Sequence, residues 1–317
     1  MPTSFPFACP HCHAPLQQIS TDQLVCPGDG LLFARIDGIW RFILTDEAGK
    51  YEQFIHEYEI IRRAEGRASP HPAYYRSLPY KDLSGKMSAQ WRIRAASYDA
   101  LRRSILEPAP PVLTILDLGA GNCWLSNRLA AQGHQVLSLD LVTNDFDGLG
   151  CFRHYETNFT PAQAEFDRLP CQDQSADLVI YNASLHYSVD VRATLSEALR
   201  VLRPGGRIIL LDSPIYQQAE SGASMVRERE NQFFAEYGFP SNSLKSVNFF
   251  TYTGLESLAR DLNITWNFLT PFYGIGWMLK PVISRLLGRR EPAKFHLVIG
   301  KPVMSPAVGD KLAGTTD

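Results

Sequence analysis

No apolar run in the 317 residues reaches the roughly eighteen that a membrane-spanning helix needs, so a membrane span is not expected. Neither sign of charge is in excess. The 31 Lys and Arg against 33 Asp and Glu give a formal net charge of −2, which excludes a global electrostatic drive toward polyanions. Cysteine is scarce at six residues, three of them near the start in a metal-like spacing, which points to a reducing cytoplasm rather than a disulfide framework. No glycine loop continues into Gly-Lys-Ser/Thr, so the phosphate cradle of a nucleoside triphosphate is missing. The opening Met-Pro-Thr-Ser-Phe-Pro-Phe-Ala has neither the basic nor the apolar region of a secretory leader. Repeats and low-complexity tracts are also absent, and Met304 to Asp317, small, polar and aperiodic, reads as a disordered tail. What remains is enough chain for one large α/β domain and a smaller piece.

The most informative stretch present is Val112 to Trp124. An apolar run of buried-strand type ends in Asp117, and a glycine turn at Gly119 and Gly121 then opens a helix. Nineteen residues past Gly121 a second apolar strand, Gln135 to Leu139, ends in Asp140, an offset that suits an acid holding two ribose hydroxyls, with Leu141 beside it. A dinucleotide fingerprint needs a small residue three positions after the second glycine, where a pyrophosphate must fit. Trp124 occupies that place. An adenosine cofactor without phosphate is left, namely S-adenosylmethionine (SAM).

The words Asp117-Leu-Gly119-Ala-Gly121-Asn-Cys123 resemble motif I of class I SAM-dependent methyltransferases, with Cys123 where a third glycine is usual. Glu165-Phe-Asp167-Arg-Leu-Pro170, then Ser175 to Asn182, then Leu202-Arg-Pro-Gly-Gly206 resemble the later motifs in order and spacing. The resemblance covers roughly residues 110–215. It implies a seven-stranded Rossmann-like sheet with an antiparallel last strand and helices on both faces. It also implies that Asp167 accepts the adenine amino group and that Asn182 sits at the ligand end of a strand. Ile264 to Phe268 and Phe295 to Ile299 are the expected last two strands, with helices over Ser221 to Tyr237 and Thr253 to Leu262. Enzymes of this class that methylate planar nitrogens carry Asn/Asp-Pro-Pro-Tyr/Phe after the fourth strand. Here Asn182-Ala-Ser-Leu-His186-Tyr187 stands there, which favours an oxygen or carbon acceptor. His186 is the candidate general base, its ordinary pKa lying near neutrality, and Tyr187 is placed to orient the acceptor. The bland alternative has His186 capping the following helix. The aromatics Trp266, Phe268, Phe272, Tyr273 and Trp277 either line an acceptor pocket or pack a lid, and Lys280 to Arg290 reads as an amphipathic, solvated helix.

Cys9-Pro-His-Cys12 and, thirteen residues on, Cys26-Pro-Gly-Asp29 form a zinc-ribbon pattern whose closing knuckle is unusual. Asp29, at the matching spacing, is the candidate fourth ligand, with His11 and His13 as competitors. His11 lies inside the knuckle and is expected to point away. Leu32 to Trp40 resembles the ending of small zinc-ribbon proteins that act as methyltransferase activator subunits, and similar ribbons precede rRNA guanine methyltransferases. The alternative is a ribbon that folds without metal.

The chain therefore divides into a zinc-ribbon-like module (1–45), a helical cap (46–108), a SAM-dependent methyltransferase domain (109–303) and the tail (304–317). Within the cap, Tyr74 to Tyr80 reads as a loop, and seven basic residues lie between Arg76 and Arg103. Arg92, beside Trp91, is the candidate grip on the SAM carboxylate. The expected activity is methyl transfer to an oxygen or carbon of a small molecule. Alternatives are an RNA methyltransferase that binds substrate through the ribbon and a non-catalytic SAM-binding partner protein.

Overall fold

A computed structural model describes residues 5–44, 47–110 and 112–303, so the expected tail lies outside the described residues. Four short strands open the chain: β1 (Gln17–Ser20), β2 (Gln23–Val25), β3 (Leu32–Ile36) and β4 (Ile39–Arg41). Three helices follow, α1 (Glu52–Ala64), α2 (Pro72–Ser77) and α3 (Ser88–Leu101). Next come β5 (Thr114–Leu118), α4 (Trp124–Ala130), β6 (Gln135–Asp140), β7 (Thr160–Gln163), β8 (Ala176–Asn182), α5 (Val191–Val201) and β9 (Leu202–Leu211). The remainder holds β10 (Ile215–Tyr216), α6 (Ala219–Tyr237), β11 (Phe250–Thr251), α7 (Tyr252–Leu262), β12 (Ile264–Leu269), α8 (Ile275–Leu286) and β13 (Leu297–Pro302).

The seven strands expected for the catalytic domain are present in the order β7-β6-β5-β8-β9-β13-β12, with β13 antiparallel to both neighbours. The sheet nevertheless has eleven strands. The N-terminal module adds the other four, because β4 pairs in parallel with β7, Trp40 against Ala162 and Arg41 against Gln163. An edge strand offers a row of unpaired backbone groups, and here the module takes them up. Phe42 continues the contact by donating its N–H to the Gln163 carbonyl at 2.9 Å. Its ring packs 4.9 Å from Phe7 and 5.2 Å from Phe33.

Side chains alternate along the central strands. Leu116, Leu118, Leu137 and Val179 point into one core, while Ile115, Val136, Leu178 and Ile180 point into the other. Cover on both faces is why β5 is buried at all five positions and reads as a continuous apolar run. The Pro-Gly-Gly of the Leu202 to Gly206 motif is a bulge inside β9. Its register with β8 jumps from Ala176–Leu202 to Leu178–Arg207, and Gly205 takes φ 82°.

The expected loop at Tyr74 begins instead as α2. Pro72 at the first turn is pre-set for a helix, and Tyr74 and Tyr75 are buried on its inner face. Tyr75 donates its hydroxyl to the Phe146 carbonyl at 2.8 Å. No described helix is long and apolar enough to cross a membrane.

Candidate active site and metal centre

At the carboxyl ends of β5, β6 and β8 a cavity gathers Gly119, Gly121, Asp140, Leu141, Asp167 and Asn182. The glycine turn is built on left-handed backbone, with φ 76° at Gly119 and 51° at Gly121. Cys123 also has a positive φ, 62°, which explains why glycine is the usual residue there. A Cβ on Gly119 would stand 2.3 Å from that of Ser184, so this glycine answers to packing as well as to conformation. Asp140 accepts the Gly121 N–H through Oδ2 and the Val142 N–H through Oδ1, each at 2.8 Å, and burial pushes its pKa up. The Asn182 Oδ1 is buried without a hydrogen-bond partner among the described residues, leaving an acceptor free at the cavity wall.

The cap closes this cavity. Lys50, Phe54, Tyr58 and Arg62, four residues apart, present one face to it, and Tyr51 hydrogen-bonds the buried Glu165. These residues fit a nucleoside with a cationic, carboxylate-bearing tail: an acid for the ribose, an unpartnered amide and Cβ-free backbone beside them.

Two expected contacts lie elsewhere. Asp117 is fully buried beneath the loop, where it accepts from Ser126 Oγ at 2.6 Å, and burial pushes its pKa up to about 7. It supports the loop and does not line the cavity. Arg92 is exposed, and Arg94 faces the cavity instead, because two positions on a helix turn the side chain by about 200°. Sequence reasoning also missed Asp147, which accepts from Asn122 Nδ2 at 3.2 Å and faces Arg62 Nε at 3.5 Å in the cavity wall. No motif marks it.

A second, wider cavity adjoins the first. His186 lines only the second and Tyr187 lines both. His186 is 9 % exposed and its Nδ1 lies 3.3 Å from Ser213 Oγ. Its pKa does not stay at the ordinary value near neutrality. Burial, reinforced by the charges of Arg229, Arg62 and Arg94, pushes it down to about 3. Nor does it cap the next helix, since Asp190 does so by accepting from the Ala193 N–H at 3.0 Å. Of the late aromatic cluster only Trp277 lines the second cavity. Tyr273 hydrogen-bonds Ser97 at 2.9 Å, Trp266 and Phe268 pack on the core, and Phe272 is exposed.

In the N-terminal module one ligand atom each from Cys9, Cys12, Cys26 and Asp29 lies within 4.8 Å of the others. Cys12 and Cys26 Sγ are 3.3 Å apart, and Cys9 Sγ lies 3.3 Å from Asp29 Oδ2. A tetrahedral ion with bonds of about 2.3 Å to sulfur needs edges of roughly that size, so the set fits zinc. Burial raises the Cys26 thiol and pushes Cys9 up to about 12, so a cation is what would hold them as thiolates. His11 stands outside the converging set, exposed, with its Nδ1 3.1 Å from Asp29 Oδ2. His13 faces Glu197 on α5, at 3.7 Å.

Comparison with known proteins agrees with both halves. Residues 116–210 match the family described as a methyltransferase domain, and residues 7–38 match the Trm112p-like proteins. Residues 116–210 thus carry a methyltransferase domain, and the Trm112-like module in front of it holds the cysteine cluster. It is similar to the malonyl-[acyl-carrier protein] O-methyltransferase of Hahella chejuensis, 30% identical over 154 residues that make up 43% of this chain and 55% of that protein. It is similar also to the tRNA 5-carboxymethoxyuridine methyltransferase of Escherichia coli, 28% identical over 137 residues, 41% of this chain and 51% of that one. The chain thus spans about half the length of the curated relatives it matches. Among solved structures, the YcgJ protein of Bacillus subtilis aligns with a TM-score of 0.48 at 14% identity, covering 67% of this chain and 100% of that chain.

Proposed function

We propose that this chain transfers the methyl group of SAM to an oxygen or carbon of a small acceptor that occupies the second cavity. The observation that carries the reading is the shared wall. Tyr187, Phe54, Tyr58, Arg62 and Arg94 are among the residues that border both cavities, so a cofactor held by the glycine loop and a molecule beside His186 would meet across a common wall.

SAM supplies a methyl on a positively charged sulfur, which leaves with the bonding electrons. The chain's own residues position and exclude. Asp140 would offer the ribose hydroxyls the remaining lone pair on each carboxylate oxygen, Asp167 would take the adenine amino group, and Leu141 would lie beside the base. His186, uncharged at neutral pH, offers a ring nitrogen to the proton of a hydroxyl acceptor. Its lowered pKa makes it a weak base, which suits an acceptor that is already acidic.

The Hahella relative is named as an O-methyltransferase, which supports an oxygen acceptor. The Escherichia coli relative, named for a tRNA substrate, supports a second reading in which the module and the basic stretch from Arg76 to Arg103 grip RNA. The six free cysteines suit a reducing cytoplasm. We also read the module (1–45), the cap (46–108) and the catalytic domain (109–303) as the units of the chain.

Calorimetric titration with SAM and S-adenosylhomocysteine, followed by transfer of labelled methyl to phenols, carboxylic acids and bulk tRNA, tests this. Label in a small acid or phenol supports the reading. Label in tRNA, with affinity falling steeply in salt, supports the RNA alternative. Tight cofactor binding without transfer to any acceptor leaves a SAM-binding partner protein.

A further inference from the structure

Cationic side chains outnumber acidic ones around the second cavity, where the acids are Glu65, Asp212 and Glu228. Two of these are already used. Glu65 pairs with Arg62 at 3.0 Å and with Arg67 at 2.5 Å, and Glu228 pairs with Arg290 at 2.8 Å. Asp212 accepts from Ser97, its Oδ2 is buried without a hydrogen-bond partner among the described residues, and burial pushes its pKa up against the charge of Arg94. Arg289 and Lys280 also carry no acidic partner among the described residues, but of the cations left over Arg94 and Arg229 are the two whose charges bear on His186. Arg94 has no hydrogen-bond or ion-pair partner among the described residues and rests 4.7 Å above the Trp91 ring. Arg229 gives one terminal nitrogen to Asn248 Oδ1 at 2.6 Å, while its Nε is buried without a partner among the described residues.

A guanidinium N–H removed from water and left unpaired is unfavourable, and these two stand in the wall of an open cavity rather than inside the core. Both line the same cavity as His186, whose pKa is lowered first by burial and then by their charges together with that of Arg62. Apolar side chains also line it, among them Ile93, Met225, Phe233, Leu244, Trp277 and Phe295. Guanidinium forks match the planar oxygens of carboxylates and the oxygens of phosphate esters.

We propose that the second cavity selects an acceptor bearing an acid group, carboxylate or phosphate, on an apolar body, with Arg94 and Arg229 receiving that group beside His186. This rests on the reading of the cavity as the acceptor site. Arg94 also borders the cofactor cavity, whereas Arg229 does not, so Arg229 is the discriminating residue.

The test titrates the protein, with and without S-adenosylhomocysteine, against octanoate, octyl phosphate and 1-octanol by calorimetry. One of the acids is expected to bind at least about tenfold tighter than the alcohol, as a charge-assisted pair requires, and the better of the two identifies the acid group. Arg229→Gln and Arg94→Gln should each erase that preference. Equal binding of octanol and both acids by the wild type overturns the proposal, as does a preference that survives Arg229→Gln. Failure of S-adenosylhomocysteine to bind would instead sink the methyltransferase reading, and the acid preference is then read in the cofactor-free protein.

Discussion

The Asp140 carboxylate and the Gly121 backbone are joined at 2.8 Å, so the acid proposed for the ribose also fixes the glycine turn beside it. The other oxygen is tied in the same way to Val142. Asp140→Ala should therefore weaken SAM binding by about tenfold or more, since hydrogen bonds to a charged group are worth roughly 1.5–3 kcal/mol. Calorimetric titration measures this. An unchanged dissociation constant would remove Asp140 from the cofactor site.

The four-residue cluster in the module makes a stoichiometric prediction. Zinc bound per chain should fall in both Cys26→Ala and Asp29→Ala, because each supplies one of four converging ligand atoms. If Asp29→Ala keeps its full zinc, the ligand is His11, whose Nδ1 already lies 3.1 Å from the Asp29 carboxylate.

Phe42 ties the module to the catalytic sheet. Its ring is 2 % exposed among Phe7, Phe33 and Trp40, and its N–H bonds to Gln163. Phe42→Ala should cost about 3–5 kcal/mol through the lost transfer and the cavity left behind. Because the aromatic cluster is continuous with the sheet core, thermal unfolding should stay a single transition at lower temperature. A separate early transition for the module would show that the β4–β7 pairing does not couple the two.

Much of this was legible in the sequence where the physics is local. Alternating and continuous apolar runs marked β5, β6 and β8, and the spacing from Gly121 to Asp140 placed an acid at a strand end beside a glycine turn. Cys-x-x-Cys and Cys-x-x-Asp brought four ligand atoms together because each knuckle is a short turn. What escaped was set by long-range packing. Nothing in Ile39-Trp40-Arg41 says that it will pair with a strand more than a hundred residues away. The face of α3 that meets the cavity was misjudged by two residues, so Arg92 was chosen over Arg94. Asp117 stands in the right motif but under the loop, and the protonation of His186 depends on arginines drawn from three separate helices.

The buried His186 ties stability to pH in a definite direction. Its folded pKa, about 3, lies below the ordinary 6.5, so below 6.5 the unfolded chain takes up a proton that the folded chain refuses. The stability it contributes is fully present above pH 6.5 and is lost as pH falls toward 3, with a limiting slope of about 1.4 kcal/mol per pH unit for one proton. His186→Gln lacks the titrating ring, so its stability should decline more gently over that window. Urea unfolding of both proteins between pH 7 and pH 4 checks this. The opposite outcome, wild type and variant losing stability in parallel, would mean that His186 is protonated in the folded protein. The positive potential read at the acceptor cavity would then be neutralised by a group other than a bound acid.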